Sequence, residues 1–250
     1  MEQEGTKPVA VVTAGGARIG QAIVLAFARA GYNVVIHYRT LRPAVQTTVD
    51  LAHAVGAEVI LHQADLAVRA QAEQLLEVTV QRFQRVDVLV ANAGAFERTP
   101  VDQFSDDVCR RMLDDNLFAA LWVSRTFGVW MRNNGNGSIV ALADVAALRP
   151  WRGYLAYNIA KAGVVAMVRT LAKDLAPAVR VNAVAPGPIL FPPGFSEEQQ
   201  QREIDRTLLR RPGSPEDVAE AVLFLCRNNY ITGVVLPVDG GRLLAGDDGH

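Results

Sequence analysis

Seven short runs of apolar, largely β-branched residues recur along this chain, each separated from the next by a longer stretch with helical spacing, and that alternation leaves few folds open. The runs are Val9 to Thr13, Asn33 to His37, Ala57 to Leu61, Asp87 to Val90, Ser138 to Leu142, Arg180 to Val184 and Val234 to Val238. Most are continuous rather than alternating in polarity, so cover is expected on both faces, as in a parallel sheet. Helical patterns lie near 19–30, 42–55, 68–84, 105–132, 155–175 and 215–227. Strand and helix in this order predict an α/β domain: a doubly wound, parallel, seven-stranded sheet with helices on both faces.

A chain of 250 residues, half of them hydrophobic, can bury a sizeable core, and no repeat or linker divides it, so one domain over 1–250 is expected. Net charge is −1 and the sequence pI is near 6.4, with no basic block. A nucleic-acid groove or an anionic membrane surface has no electrostatic support from that balance, and a small-molecule substrate is the expectation. Cys109 and Cys226 are too few for a disulfide framework and fit a reducing compartment. Histidines 37, 53, 62 and 250 show no paired spacing, so no metal site is expected. The first residues are polar, and no apolar run approaches the ~20 residues of a membrane span, which reads as a cytoplasmic protein. One stretch is irregular: Pro186 to Phe195 holds four prolines and two glycines, and polar residues from Ser196 to Arg206 follow. A proline-rich hinge with a short helix after it predicts a lid over a substrate pocket at 187–210.

Tyr157 and Lys161 lie four residues apart inside the fifth helical pattern. One helical turn puts phenol and ammonium on the same face, and a nearby cation lowers a tyrosine pKa toward useful proton transfer. With five tyrosines and three lysines in 250 residues, chance placement gives roughly 0.06 such pairs. Thr13-Ala14-Gly15-Gly16-Ala17-Arg18-Ile19-Gly20 closes the first strand and opens the first helix. Glycines there let the backbone approach a pyrophosphate, which the helix N-terminus stabilises. After the second strand, where an acidic residue would bind the ribose of NAD, stand His37, Tyr38, Arg39, Thr40 and Arg42. Arginine forks and a hydroxyl suit a 2′-phosphate, so NADPH is the expected cofactor, with Arg18 as a second positive contact.

These elements resemble the short-chain dehydrogenase/reductase family over essentially the whole chain. The resemblance rests on the turn at 13 to 20, Asp65-Leu66, Asn92-Ala93-Gly94, Asn116, Tyr157 with Lys161, Pro186-Gly187 and Asp239-Gly240-Gly241, in the family's order and spacing. It implies a single-domain Rossmann fold with Tyr157 as proton donor and Lys161 binding the nicotinamide ribose. It implies also that Asn116 holds a relay water, that Asp65 and Leu66 contact adenine, and that Asn92, Ala93 and Gly94 flank the adenosine ribose. Pro186, Gly187 and Ile189 would also bind the cofactor, and a homotetramer would use the helices near 105–132 and 155–175.

Two positions depart from the family pattern. Arg18 stands where most members have glycine, and Asp144 stands thirteen residues before Tyr157, where most have serine; residues 139 to 195 contain no serine at all. A carboxylate can only accept a hydrogen bond, and it repels the alkoxide that a serine would stabilise. Asp144 therefore points either to an idle site or to a substrate with N–H donors and a reducible C=N bond. Asp144, Tyr154, Arg18, His37-Tyr38-Arg39 and Phe96 together resemble the pteridine reductase branch, and Tyr38-Arg39-Thr40, Ile189-Leu190-Phe191 and 236–242 are similar to bacterial dihydromonapterin reductases. That likeness implies NADPH-dependent reduction of a pterin or dihydropterin, dihydrofolate included, with the ring stacked on Phe96 and the pocket shaped by Arg18, Asp144, Tyr154, Tyr157, Gly187 and Leu190. Gly94 departs again, standing where pteridine reductases often have serine. Two alternatives remain: a carbonyl reductase such as a 3-oxoacyl-carrier-protein reductase, and a catalytically idle NADPH-binding protein.

Overall fold

A computed structural model describes residues 7–192 and 194–245. His250 and Pro193 of the expected hinge lie outside the described residues. The strands are β1 (Val9–Val12), β2 (Asn33–Tyr38), β3 (Val59–Gln63), β4 (Val88–Ala91), β5 (Gly137–Leu142), β6 (Val179–Pro186) and β7 (Val235–Val238). The helices are α1 (Arg18–Arg29), α2 (Pro43–Ala54), α3 (Arg69–Phe83), α4 (Asp106–Leu113), α5 (Ala119–Asn133), α6 (Leu155–Asp174), α7 (Glu197–Asp205) and α8 (Pro215–Arg227). All strand pairs are parallel, in the order β3-β2-β1-β4-β5-β6-β7, with Val11 beside Val35 on one side and Leu89 on the other. The order reverses direction at β1, which opens a crevice above the carboxyl ends of β1 and β4.

Alternate residues of each central strand feed opposite layers, because successive side chains point to opposite faces. Val9, Val11, Leu89 and Ile139 pack with Leu75, Phe127, Met131, Val164 and Val168 from α3, α5 and α6. Val12, Ile36, Val90 and Val140 pack with Ile23, Phe27, Val218, Val222 and Leu225 from α1 and α8. The expectation of full burial applies to β1 and β4, and to most residues of β2, β5 and β6. At the edges, β3 and β7 are half-buried, since each has a neighbour on one side only.

The expected helix over 105–132 is divided. A wide, π-helical turn at Asp114–Phe118 joins α4 to α5, and it buries Asp115 and Asn116. The polar run Asp114-Asp115-Asn116 interrupts the apolar face between Met112 and Ala119, but a polar run by itself does not distinguish a widened turn from ordinary helix. Helix α7, within the expected lid, begins at a capping box, in which the Ser196 hydroxyl accepts from Gln199 N–H and the Gln199 side chain accepts from Ser196 N–H. No helix among the described residues is long and apolar enough to cross a membrane.

Candidate active site

A cavity of about 1780 Å³ lies over the carboxyl ends of the strands. It runs from Tyr38, Arg39, Thr40, Asp65 and Leu66 past the β1–α1 turn to Asp144, Tyr157 and the segment after β6. That volume exceeds the ~300–1,000 Å³ typical of one drug-sized ligand, which leaves room for more than one such molecule.

The β1–α1 turn is shaped to bring backbone close to a ligand. A Cβ on Gly20 would stand 2.1 Å from Ala14 O and 2.8 Å from Asn92 Nδ2, so only glycine fits. Arg18 has φ +53, the left-handed region that favours the glycine usual at this place, and its Nη2 donates to Leu190 O at 3.3 Å. Ala17 caps α1 without a side-chain acceptor, and no acidic residue sits in the first turn. Gly16 to Gly20 line the cavity, so the N–H groups that this uncapped turn leaves without a side-chain partner suit a pyrophosphate.

Not every residue singled out in this region lines the cavity. Thr13 and Gly15 lie behind its wall, where Thr13 Oγ1 accepts from Asn92 N–H and Ala93 N–H, both at 2.8 Å. Asn92 Nδ2 donates to Thr13 O and Ala14 O, which ties the end of β4 to the glycine turn. His37 reaches the cavity but is 2% exposed. Ala14 N–H donates to its Nδ1, so Nε2 must be the protonated nitrogen that donates to Ala64 O. Burial lowers its pKa to about 4, so the ring is a neutral brace. Asp65 holds a turn, accepting from Ala67 N–H at 3.0 Å, while lining the cavity beside Leu66. Arg39 is engaged with Asp115 of the wide turn. Tyr38 and Thr40 line the same end.

The opposite end assembles the candidate chemistry. Asp144 leaves β5 and caps a short 3₁₀ turn at Val145–Ala147, its Oδ1 accepting from Ala146 N–H at 2.7 Å. Its Oδ2 accepts from the Tyr157 hydroxyl at 2.7 Å. Asp144 thus caps the turn and holds the tyrosine at once. Burial raises the Asp144 pKa, opposed by Ala146 N–H, Tyr157 and Lys161. The expected lowering of the Tyr157 pKa is reversed: burial first, then the Asp144 charge and hydrogen bond, raise it well above 10. Lys161 faces the ring, 5.8 Å from its centroid, and donates instead to Leu142 O at 2.9 Å. Buried, it has its own pKa lowered to about 8. Asn116 Oδ1 accepts from Ala95 N–H at 3.2 Å and its Nδ2 donates to Met112 O at 3.0 Å. A Cβ on Gly94 would come within 2.8 Å of Asn116 Oδ1 and 3.5 Å of Lys161 Nζ. A serine at that place would crowd the Asn116 side chain, while its Cβ would meet Lys161 only at ordinary contact.

Aromatic rings wall this end. Phe96 stacks on Tyr154 with centroids 4.8 Å apart and meets Tyr157 edge-on at 5.0 Å. Trp151, missed in the sequence, stacks on Tyr157 at 6.4 Å. A tryptophan six residues before the candidate acid was the available signal. Gly187, Ile189 and Leu190 line the roof, as do Arg202, Arg206 and Arg210 of the expected lid, although Ile189 itself is buried in the core. Among the described residues, no cluster of three or more His, Cys, Asp or Glu is placed to hold a metal ion.

Comparison with known proteins agrees with this architecture. A family model described as enoyl-(acyl carrier protein) reductase matches residues 14–242. A 3-oxoacyl-[acyl-carrier-protein] reductase from Synechocystis sp. is 35% identical over 96% of this chain and 98% of its own length. An NADPH-dependent 3-quinuclidinone reductase from Rhodotorula rubra is 29% identical, with a TM-score of 0.88 over 96% of this chain and 93% of that one. A 7α-hydroxysteroid dehydrogenase, solved with NADH and 7-oxo glycochenodeoxycholic acid, is 31% identical, with a TM-score of 0.88 over 94% and 93%. The relatives thus include users of either nicotinamide cofactor, and their names favour the carbonyl-reductase alternative over the pteridine branch. With a family model spanning nearly the whole sequence, a doubly wound seven-stranded sheet and relatives of the same length, the chain belongs to the short-chain dehydrogenase/reductase family of oxidoreductases.

Proposed function

We propose that this oxidoreductase uses NADPH to reduce a ring C=N bond of a pterin or dihydropterin, the class that includes dihydrofolate. The carrying observation is the 2.7 Å hydrogen bond from the Tyr157 hydroxyl to Asp144, at the place where a carbonyl-reducing site needs a donor. A carboxylate there accepts from ring N–H or amino groups and opposes negative charge on a carbonyl oxygen. Phe96, 39% exposed beside Tyr154 and Tyr157, offers a flat face to a heteroaromatic ring.

The glycine turn, the open first turn of α1, and Asn92, Asn116, Tyr157 and Lys161 suit a nicotinamide dinucleotide, which when bound supplies the hydride. Tyr157 keeps its proton at neutral pH because burial and Asp144 raise its pKa, so it donates rather than abstracts. Asp144 orients that proton and takes hydrogen bonds from the substrate. Lys161 secures the base of the site through Leu142 O. The Gly187 to Leu190 segment and Arg202, Glu203 and Asp205 of α7 line the cavity, a placement that suits a lid over the substrate. Exposed Leu155 and Ile159 on α6 and Val129 on α5 support a homotetramer built on these helices.

A second reading, reduction of a 3-oxoacyl thioester, is favoured by the likeness to the Synechocystis enzyme. Oxidation of NADPH measured against dihydropterins, dihydrofolate and 3-oxoacyl thioesters separates the two. Turnover of the pterins above the thioesters is expected; efficient thioester reduction with the pterins inert reverses the assignment.

A further inference from the structure

The arginine that follows β2 does not wait unpaired for a ligand. Arg39 presents both Nη1 and Nη2 to the carboxylate oxygens of Asp115, the second contact measuring 3.3 Å. The Arg39 side chain is 55% exposed and that of Asp115 only 8%. Asp115 is therefore the fixed, desolvated partner, held in the wide turn beside Asn116, and the guanidinium is the wet one. Because β2 and β4 flank β1, this pair, from the end of β2 to the helix after β4, bridges the crevice above β1. Asp65 and Leu66 line the same end of the cavity.

A bidentate carboxylate occupies the fork that would grip a phosphate, and its charge repels an anion brought within a few ångströms. A buried carboxylate left without its cation is costly, so Asp115 does not release Arg39 freely. Thr40 and Arg42 line this end too, and they keep some attraction for a phosphate. Sequence alone concealed this pairing, since the partners lie 76 residues apart.

We propose that Asp115 sets cofactor selectivity: its carboxylate competes with the 2′-phosphate for Arg39, narrowing the preference for NADPH and leaving the site usable by NADH. The proposal rests on reading the cavity as a nicotinamide dinucleotide site, and the test separates the two. Adenosine 2′,5′-bisphosphate and adenosine 5′-monophosphate differ only in the 2′-phosphate, and calorimetric titration of the whole protein measures each without turnover. Asp115→Asn keeps the shape and removes the charge. It is expected to bind the bisphosphate about tenfold tighter while the monophosphate changes by less than about twofold. Asp115→Glu, which keeps the carboxylate, should retain the wild-type ratio, and matched melting temperatures exclude a folding effect. Equal changes for both nucleotides would overturn the proposal, because Asp115 would then only shape the slot. Weaker bisphosphate binding in Asp115→Asn would overturn it as well, making Asp115 a brace that aims Arg39 at the phosphate. If the wild type bound neither nucleotide, the dinucleotide reading would fall and the proposal with it.

Discussion

Tyr157 is held by two neighbours of opposite sign, and its position between them decides what it can do. Asp144 takes its hydrogen bond and Lys161 faces its ring. Replacing Tyr157 with Phe keeps the packing and removes the transferable proton, so turnover should fall by about 10² or more with nucleotide binding retained. Steady-state rates beside a nucleotide titration check this, and near-normal turnover would remove Tyr157 from the mechanism. His37 yields a stability prediction. Its folded pKa, lowered by burial to about 4, lies below the ordinary 6.5, so between those values the unfolded chain binds a proton that the folded chain refuses. The stability His37 leaves intact above pH 6.5 is thus lost as pH falls toward 4, by up to about 3 kcal/mol. Urea unfolding at pH 7 and pH 5 should show the loss, and His37→Gln should lessen it; identical losses in both proteins would contradict the assignment. The Tyr157 to Lys161 relation was legible because one helical turn fixes it. The direction of the Tyr157 shift was not, because it depends on burial and on how Asp144 folds back from β5.

At the scale of elements, hydrophobic runs located the strands to within about two residues, because buried parallel strands carry an unbroken apolar signal. What the runs did not carry was neighbourhood. Edge strands β3 and β7 look like the others in sequence and differ only in having one partner. The wide turn at Asp114–Phe118 has no sequence mark beyond a polar run, yet it is what buries Asn116 against Ala95 and Asp115 against Arg39. The β1–α1 turn was legible as a glycine cluster, and its geometry sharpens the expectation. Gly20→Ala would force a Cβ against Ala14 O, so the variant should lose about 2 kcal/mol or more of stability and bind nucleotide poorly. Denaturant unfolding with a nucleotide titration measures both, and an unchanged variant would mean that the turn relaxes freely.

Across the whole molecule, the repeated strand and helix units made the doubly wound parallel sheet legible in the sequence, while the strand order and the crevice at β1 come from how those units pair in space. Substrate identity was less legible. The relatives' names point to carbonyl substrates, while Asp144, fixed between Ala146 N–H and the Tyr157 hydroxyl, opposes the charge that a carbonyl would develop. The most direct measurement compares kcat/KM for a dihydropterin and for a 3-oxoacyl thioester in the wild type and in Asp144→Ser. Asp144→Ser is expected to lower dihydropterin reduction by the equivalent of ~2 to 4 kcal/mol and to raise thioester reduction, because a donor replaces an acceptor. A wild type that reduces the thioester well, ignores the dihydropterin and gains nothing from Asp144→Ser would contradict it.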